Sequence, residues 1–350
     1  MNSAYIAGPN DRILITGSNG FIGVRVVKTL LEYGFQHLRC FVRHSSRTQQ
    51  LKEILGQHAI AQSVELLRGD LMSPQDCQRA AEGVSIIFHL AAGMEKSFAG
   101  AFMNSALATR NLIDAFLERG KLKRFVNVSS FAVYSNLTSK RGSMLDESCP
   151  LEDAPQERFD AYGFGKLKQE EIVREYGSRR NLPYVILRPG YVFGPGKREL
   201  SGRVGISTFG FFIQVNSSNL LPLSFVDNCA EAIVLAGITP GVEGEIFNVV
   251  DDDLLTSREF LRAYRQQTSS FSVSIPYPVT YGLCCLWEKY SIWSKNQLPP
   301  VFNRRRCAAE WKRNRYSNQK LKDRLDWKPK VNMKDAMTAF LNQFTPGKSP

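Results

Sequence analysis

The stretch ITGSNGFIG at residues 15–23 limits what this 350-residue chain can fold into more than any other segment. The apolar run RILITG (12–17) leads into it, and a segment with Val26, Val27, Leu30 and Leu31 on one helical face leads out, ending at a C-cap candidate, Gly34. Glycines at 17, 20 and 23 in that setting predict a strand, a tight turn and a helix in immediate succession. The first glycine permits the turn, the second lets a pyrophosphate approach bare backbone, and the third lets helix and strand pack closely. The helix N-terminus adds unpaired N–H groups and a partial positive charge. Gly17, Ser18, Asn19, Gly20, Phe21, Ile22 and Gly23 are therefore the expected cradle of a dinucleotide.

The pattern continues. HLRCFVR (37–43), SVELLRG (63–69), VSIIFHLAA (84–92), KRFVNVSS (123–130), PYVILRPG (183–190) and EIFNVV (245–250) are further apolar runs, most of them separated by helical stretches such as 105–120. Nearly all-apolar strands alternating with helices indicate a parallel sheet covered on both faces. The expected fold is α/β: a doubly wound Rossmann domain over 10–195, completed by 224–250. A smaller, mainly helical substrate-binding domain is expected over 196–223 and 251–345. GPGKRELSGRVG (194–205), polar and rich in turns, suits a loop over the cleft between them.

Composition excludes several classes. Seven cysteines without a CxxC spacing favour reduced thiols and a cytoplasmic setting over a disulfide framework, and four scattered histidines give no metal-ligand spacing. The opening residues, MNSAYIAGPNDR, lack the apolar run of a signal peptide. The net charge of +12 is uneven: residues 301–330 hold eleven Lys/Arg against three acids, or +8. No nucleic-acid motif accompanies that run. PYPVTYGLCCLWEKYSIW (276–293) is apolar and aromatic, but Glu288 and Lys289 interrupt it before the roughly 20 residues of a spanning helix. Packing in the second domain's core is the first expectation for it. Peripheral membrane contact, helped by Arg304–Arg306, is the second.

The second strand ends FVRHSSR, without the acidic residue that commonly holds the ribose hydroxyls of NAD. Arg43 there offers a forked donor for a 2′-phosphate, which favours NADP slightly over NAD. Asp70 and Leu71, after the third strand, are placed to border adenine. In DAYGFGKLKQ (160–169), Tyr162 and Lys166 face one side of a helix. Free tyrosine has a pKa near 10, and a neighbouring ammonium favours the phenolate. Gly163 and Gly165 between them are expected to clear space at the reacting face.

TGSNGFIG (16–23), GDL (69–71), HLAA (89–92), VSSFAVY (128–134), YGFGK (162–166), RPGYVFGPG (188–196), FVDNCAEAI (225–233) and LDWKPK (325–330) occur in an order that resembles the extended short-chain dehydrogenase/reductase, or NAD-dependent epimerase/dehydratase, family. The resemblance covers nearly the whole chain. It implies a catalytic Tyr162, a Lys166 that binds the nicotinamide ribose, and a catalytic Ser130. It also implies cofactor contacts from Leu90, Ala91, Ala92, Pro189 and Val192, and a homodimer through the helices that include Tyr162's. Ser105 stands where the family commonly has asparagine, which puts a secondary cofactor contact in question. Related sugar-nucleotide enzymes hold the substrate diphosphate with an arginine before the LxWxP segment, which makes Arg304, Arg305, Arg306 and Arg315 candidates, Arg305 and Arg306 nearest the spacing. The first functional expectation is a sugar-nucleotide epimerase, with a nucleotide sugar as substrate. The second is a dehydrogenase/reductase of a hydroxysteroid-like or other apolar carbonyl, its pocket lined by 276–293. The third is a non-catalytic NADP sensor.

Overall fold

The computed structural model describes residues 5–58, 63–93, 95–119, 122–208, 211–266, 272–295, 297–312 and 314–344. All seven apolar runs become strands: β1 (Ile13–Thr16), β2 (Leu38–Val42), β3 (Glu65–Arg68), β4 (Ile86–His89), β5 (Arg124–Val128), β6 (Tyr184–Pro189) and β7 (Ile246–Val249). They build a parallel sheet in the order β7-β6-β5-β4-β1-β2-β3. Side chains alternate across it as strand geometry requires. Ile13, Ile15, Cys40, Val42, Ile86 and Phe88 point to one face, whereas Leu14, Phe41 and Ile87 point to the other.

Helices α1 (Phe21–Glu32), α2 (Gln49–Gly56), α3 (Pro74–Ala81), α4 (Ala108–Arg119), α5 (Ala161–Arg180) and α6 (Val226–Ile238) cover the sheet. Val27, Leu51 and Ile233 bring α1, α2 and α6 onto the first face. Cys77, Leu112 and Val173 bring α3, α4 and α5 onto the second. This is the doubly wound Rossmann-like fold. Strand order reverses between β1 and β4, and open α/β sheets bind ligands outside the carboxyl ends at such a point. Before α4 the chain makes a short helix, Phe98–Ala101, and a π-helical turn, Phe102–Leu107.

The rest forms a smaller mixed region. Tyr191–Phe193 pairs with Leu223–Phe225, and Ile206–Thr208, Phe211–Val215 and Ser272–Ile275 make a three-stranded sheet. The chain also forms helices α7 (Ser257–Arg265), α8 (Tyr277–Trp293), α9 (Arg304–Trp311), α10 (Gln319–Leu325) and α11 (Met333–Asn342). The mixed region's core is aromatic: Phe193 meets Phe225, Phe260 and Phe340 edge-on at 5.7–6.2 Å between ring centres. Leu321, Leu325 and Trp327 of the C-terminal third pack instead with the main sheet's core, where the Trp327 indole N–H donates to the Asn228 carbonyl at 3.1 Å.

The core expectation for 276–293 holds for one side of the segment only. The segment is helical, but Thr280, Cys284 and Ser291 are its buried residues. Cys284 packs with Val215, Cys307 and Trp311. Val279, Leu283, Leu286, Tyr290, Ile292 and Trp293 are exposed. Apolar side chains lie on more than one side of the helix, and among the described residues only one side is packed against. No helix among the described residues is long and apolar enough to cross a membrane.

Candidate active site

β1 delivers the glycine loop to the switch point. Gly17 adopts φ +68°, and a Cβ there would lie 3.0 Å from the Ala91 backbone nitrogen. A Cβ on Gly23 would lie 2.1 Å from the Gly17 carbonyl oxygen, so only glycine lets α1 start this close to the strand. Gly20 caps α1 without any side-chain hydrogen bond, which leaves the first-turn N–H groups to an anion. Beside the loop lies a cavity of about 220 Å³ whose lining includes Gly17, Asn19, Arg43, Ser46, Asp70 and Leu71. Met72, Ala91, Ala92 and Asn104 also line it. Residues singled out in four separate segments therefore meet in one crevice, and the uncapped helix end and bare glycine backbone fit a dinucleotide phosphate.

Leu90 and Ala91 are fixed to β1: their N–H groups donate to the Thr16 carbonyl (3.3 Å) and the Thr16 hydroxyl (3.3 Å). Ser105 has a firm place despite its departure from asparagine. Its hydroxyl accepts from the Gly93 N–H at 3.1 Å. Arg68, which sequence reasoning missed, braces the turn after β2 by donating to the Arg43 and His44 carbonyls at 3.2 and 2.7 Å. Lys197, in the 194–205 loop, donates to the Val192 carbonyl at 3.1 Å and stands 5.7 Å from the Phe21 ring centre, so this loop does reach the glycine turn. Pro189 ends β6 and Val192 follows in the next short strand, both buried.

Ser130 follows β5, and Tyr162 lies in the first turn of α5. Ser130 Oγ accepts from the Ala132 N–H at 3.1 Å. Burial raises the Tyr162 pKa, the nearby Ser130 hydroxyl opposes that, and the Asp160 charge adds to it. In this state the expected lowering by Lys166 is absent. Burial instead pulls the Lys166 ammonium down to about 7, with Glu170 partly opposing. Lys166 Nζ donates to the Val128 carbonyl at 2.6 Å and to Gln169 Oε1 at 3.0 Å, two of the three bonds an ammonium can donate.

Behind Lys166 runs a buried polar chain whose donors converge on Thr109 from both ends. Gln169 Nε2 donates to Thr109 Oγ1 at 2.8 Å, and Thr109 Oγ1 donates to the Ser105 carbonyl at 2.6 Å. His89 Nε2 must therefore carry the hydrogen it shares with Thr109 at 2.8 Å, and Nδ1 accepts from the Thr16 hydroxyl at 2.8 Å. Burial, then the Lys166 charge, holds the His89 pKa at about 3, so the ring is neutral. This chain ties the end of β1 to the lysine. HLAA and Lys166 were visible in the sequence; the role of Gln169, three residues past the lysine, was not.

The glycines between Tyr162 and Lys166 answer to packing rather than to substrate access. A Cβ on Gly163 would fall 2.1 Å from Arg158 Nη2, and one on Gly165 would lie 3.1 Å from both the Ala101 carbonyl and Ser105 Oγ. Arg158 is a buried clamp that sequence reasoning also missed. Its guanidinium donates to the Tyr134 carbonyl at 3.1 Å, to the Ala132 carbonyl, and to Asp160 at 2.7 Å. Asp160 caps α5 through the Gly163 N–H at 2.8 Å. The turn after Ser130 and the helix start at Tyr162 are thus held by one side chain.

The arginines behave otherwise than as a diphosphate clamp. Arg305 donates to Glu152 (2.7 Å), Asp153 (2.7 Å) and Glu157 (3.1 Å). Glu152 lies 3.7 Å from Arg158 in turn. Arg304 is paired with Glu288 at 2.6 Å and Arg306 with Glu310 at 3.0 Å. Arg315, on the short strand Arg315–Tyr316, donates to the Gly142 carbonyl at 3.3 Å. A guanidinium already surrounded by carboxylates is a strut between segments.

Fold and site together define a dinucleotide-binding α/β protein with a Ser–Tyr–Lys group at the carboxyl edge of its sheet. Residues 13–249 match the NAD dependent epimerase/dehydratase family, and the chain belongs to it. It is an enzyme family. Among curated relatives, the chain is 25% identical over 350 residues to the sterol-4-alpha-carboxylate 3-dehydrogenase, decarboxylating, of Homo sapiens, covering 95% of this chain and 88% of that protein. It is 28% identical over 279 residues to the 3 beta-hydroxysteroid dehydrogenase/Delta 5-->4-isomerase of Mycobacterium tuberculosis, covering 75% and 70%. Among solved structures, gox2253 superposes with a TM-score of 0.76 at 24% identity over 96% and 98% of the two chains. The UDP-glucose 4-epimerase of Thermus thermophilus, in complex with NAD, superposes with 0.69 at 20% over 96% and 100%; these two likenesses bear on the fold.

Proposed function

We propose that this protein is an NAD(P)-dependent dehydrogenase/reductase of a secondary alcohol or ketone on an apolar, sterol-like substrate. The observation that carries the choice over a nucleotide-sugar epimerase is the state of Arg305. Three carboxylates surround the guanidinium expected to grip a diphosphate, and adding two phosphate charges there would meet repulsion. The curated relatives named above point the same way. The glycine loop and first turn of α1 would hold the pyrophosphate, Arg43 and Ser46 the adenosine ribose, and Asp70 and Leu71 the adenine. Lys166 would hold the nicotinamide ribose, with Pro189 and Val192 beside its carboxamide. NADP remains the favoured form, because the cavity meets Arg43, not an acidic residue, at the end of β2.

The bound nicotinamide supplies the hydride chemistry. Ser130 would orient the substrate oxygen, and Tyr162 would take its hydroxyl proton during oxidation or return it during reduction. A bound oxidised nicotinamide and an ammonium at Lys166 would offset the burial that raises the Tyr162 pKa. Seven unpaired cysteines suit a reducing, cytoplasmic setting. A homodimer would use the outer faces of the π-helical turn, α4 and α5, where Phe102, Leu107, Ile172 and Tyr176 line a cavity of about 620 Å³. The division into a Rossmann domain and a substrate domain belongs to the same proposal.

The test is to supply NADP or NAD with a detergent-dispersed hydroxysterol or with a UDP-hexose, and to follow reduced cofactor by absorbance. Net reduction with the sterol alone is expected, with Tyr162→Phe about 10²–10⁴-fold slower and cofactor binding retained. Thermal protection by the nucleotide sugar, without sterol turnover, would overturn the choice.

A further inference from the structure

α8 presents a stripe that the other described residues leave exposed. Val279, Leu283, Leu286, Tyr290 and Trp293 recur at spacings of 4, 3, 4 and 3 along one helical face. All are exposed, Leu286 at 64% and Trp293 at 78%, with Ile292 at 75% on the flank. Side chains of this size exposed to this degree total on the order of several hundred Å², more than scattered apolar surface residues account for. The opposite side is anchored. Cys284 packs on Cys307 and Trp311, Ser291 Oγ donates to the Leu298 carbonyl at 2.7 Å, and Trp287 Nε1 donates to the Pro299 carbonyl at 3.2 Å. The outward stripe therefore cannot turn inward without breaking these contacts.

We propose that α8 is a docking surface for a phospholipid bilayer bearing anionic headgroups, lying along it rather than across it. Charge decides this occupant over a second copy of the chain. Between residues 276 and 303 the sole acid is Glu288, and both its oxygens are taken by Arg304, at 2.7 Å from the backbone N–H and 2.6 Å from Nε. The segment's cations, Lys289 and Lys295, are exposed. Lys289 sits at the edge of the stripe, and Lys295 lies just past its C-terminal end. Two such faces pressed together would bring lysine toward lysine with no carboxylate between them, and the stripe spans only about two heptads, short of the three or four a coiled coil sustains. Anionic headgroups complement both lysines while acyl chains take the stripe. The aromatics cluster at the same end: Tyr290 lies 5.7 Å from Trp293 and 6.4 Å from Trp287, and Phe302 lies 6.4 Å from Trp287. Tyrosine and tryptophan are enriched at headgroup depth. Arg304–Arg306, the cations expected from sequence to help, are internally paired; the two lysines take that part.

The helix is also fastened to the wall of the Tyr162 site. Arg304, held by Glu288, opens α9, and Asn303, its cap, donates to the Arg158 carbonyl at 3.0 Å. Arg158 is the clamp on the α5 start. A bilayer under α8 would thus lie within two helices of the catalytic tyrosine, a fitting source for an apolar substrate. The docking itself does not depend on that substrate.

Sedimentation of the full chain with vesicles of phosphatidylcholine, alone or mixed with phosphatidylserine, tests the proposal directly. Trp311 and Trp327 are buried, so a blue shift of tryptophan emission would report on Trp287 and Trp293. Wild type is expected to bind the phosphatidylserine vesicles, with that shift, and to release them as salt rises. Leu286→Ser/Trp293→Ser should bind on the order of a hundredfold more weakly. Lys289→Glu/Lys295→Glu should lose the preference for phosphatidylserine. All four positions are exposed, and unchanged thermal unfolding would verify intact folding. Failure of wild type to bind either vesicle would overturn the proposal, as would binding indifferent to the apolar double variant or a phosphatidylserine preference that survives the lysine reversal. A dimer in ultracentrifugation that Leu286→Ser/Trp293→Ser dissociates, without vesicle binding, would assign the face to a second copy instead. None of these outcomes alters the oxidoreductase reading, which rests on Tyr162 and Arg305.

Discussion

α5 and α8 are long helices with opposite burial. α5 hides its polar residues: Lys166, Gln169 and Glu170 are buried, each satisfied by a partner from another segment. α8 shows its apolar residues to solvent while Thr280 and Ser291 face inward. A buried polar group persists only where its hydrogen bonds are complete, because an unsatisfied one costs about 1–3 kcal/mol. An exposed apolar side chain carries little folding penalty, since the unfolded chain exposes it as well. The first arrangement is maintained by the fold; the second makes sense through something outside it.

Three measurements bear on that contrast. The largest effect is expected from Gln169→Leu, which removes an acceptor from Lys166 and a donor to Thr109 in a dry interior. Chemical denaturation should register a loss of about 1–3 kcal/mol, and cofactor affinity should fall as the lysine loses its fixed position. Unchanged stability would mean the chain from Thr16 to Lys166 is dispensable. Next, the unfolded lysine keeps a pKa of 10.5 while the folded one lies at about 7. Between those values the unfolded chain binds the extra proton, so this group makes wild-type stability rise with pH across that window. Lys166→Met should lack that rise, a difference visible in paired unfolding curves from neutral to alkaline pH. The smallest effect belongs to Ile292→Ser on α8: within about 0.5 kcal/mol of wild type in free solution. A loss well beyond that would mean the α8 face is covered inside the molecule after all.

Much of the fold was legible because its signals are local. Each of the seven strands is a short run bounded by turn residues, and the glycine loop needs only its own spacing to declare itself. Tyr162 and Lys166 stand out because helical periodicity sets them on one side. The site was less legible wherever a residue's task depends on a distant partner. Gly163 looked like an opening for substrate until Arg158 proved to occupy the space. Arg305 looked like a phosphate ligand until Glu152, Asp153 and Glu157 gathered around it from roughly 150 residues earlier in the chain. Gln169 gave no signal, because its hydrogen bonds run to Ala91 beyond β4 and Thr109 of α4, which no spacing rule connects to it.

By itself, then, the sequence determined the order and kind of elements, the phosphate-ready turn and the pairing of a phenol with an ammonium, since backbone geometry and periodicity act over a few residues. Only the tertiary structure decided which cations were left free, which polar groups were buried in company, and that 276–293 would face outward. The physical reason is that an apolar helix has the same composition whether neighbours cover it or not, and the neighbours are set by segments far away along the chain.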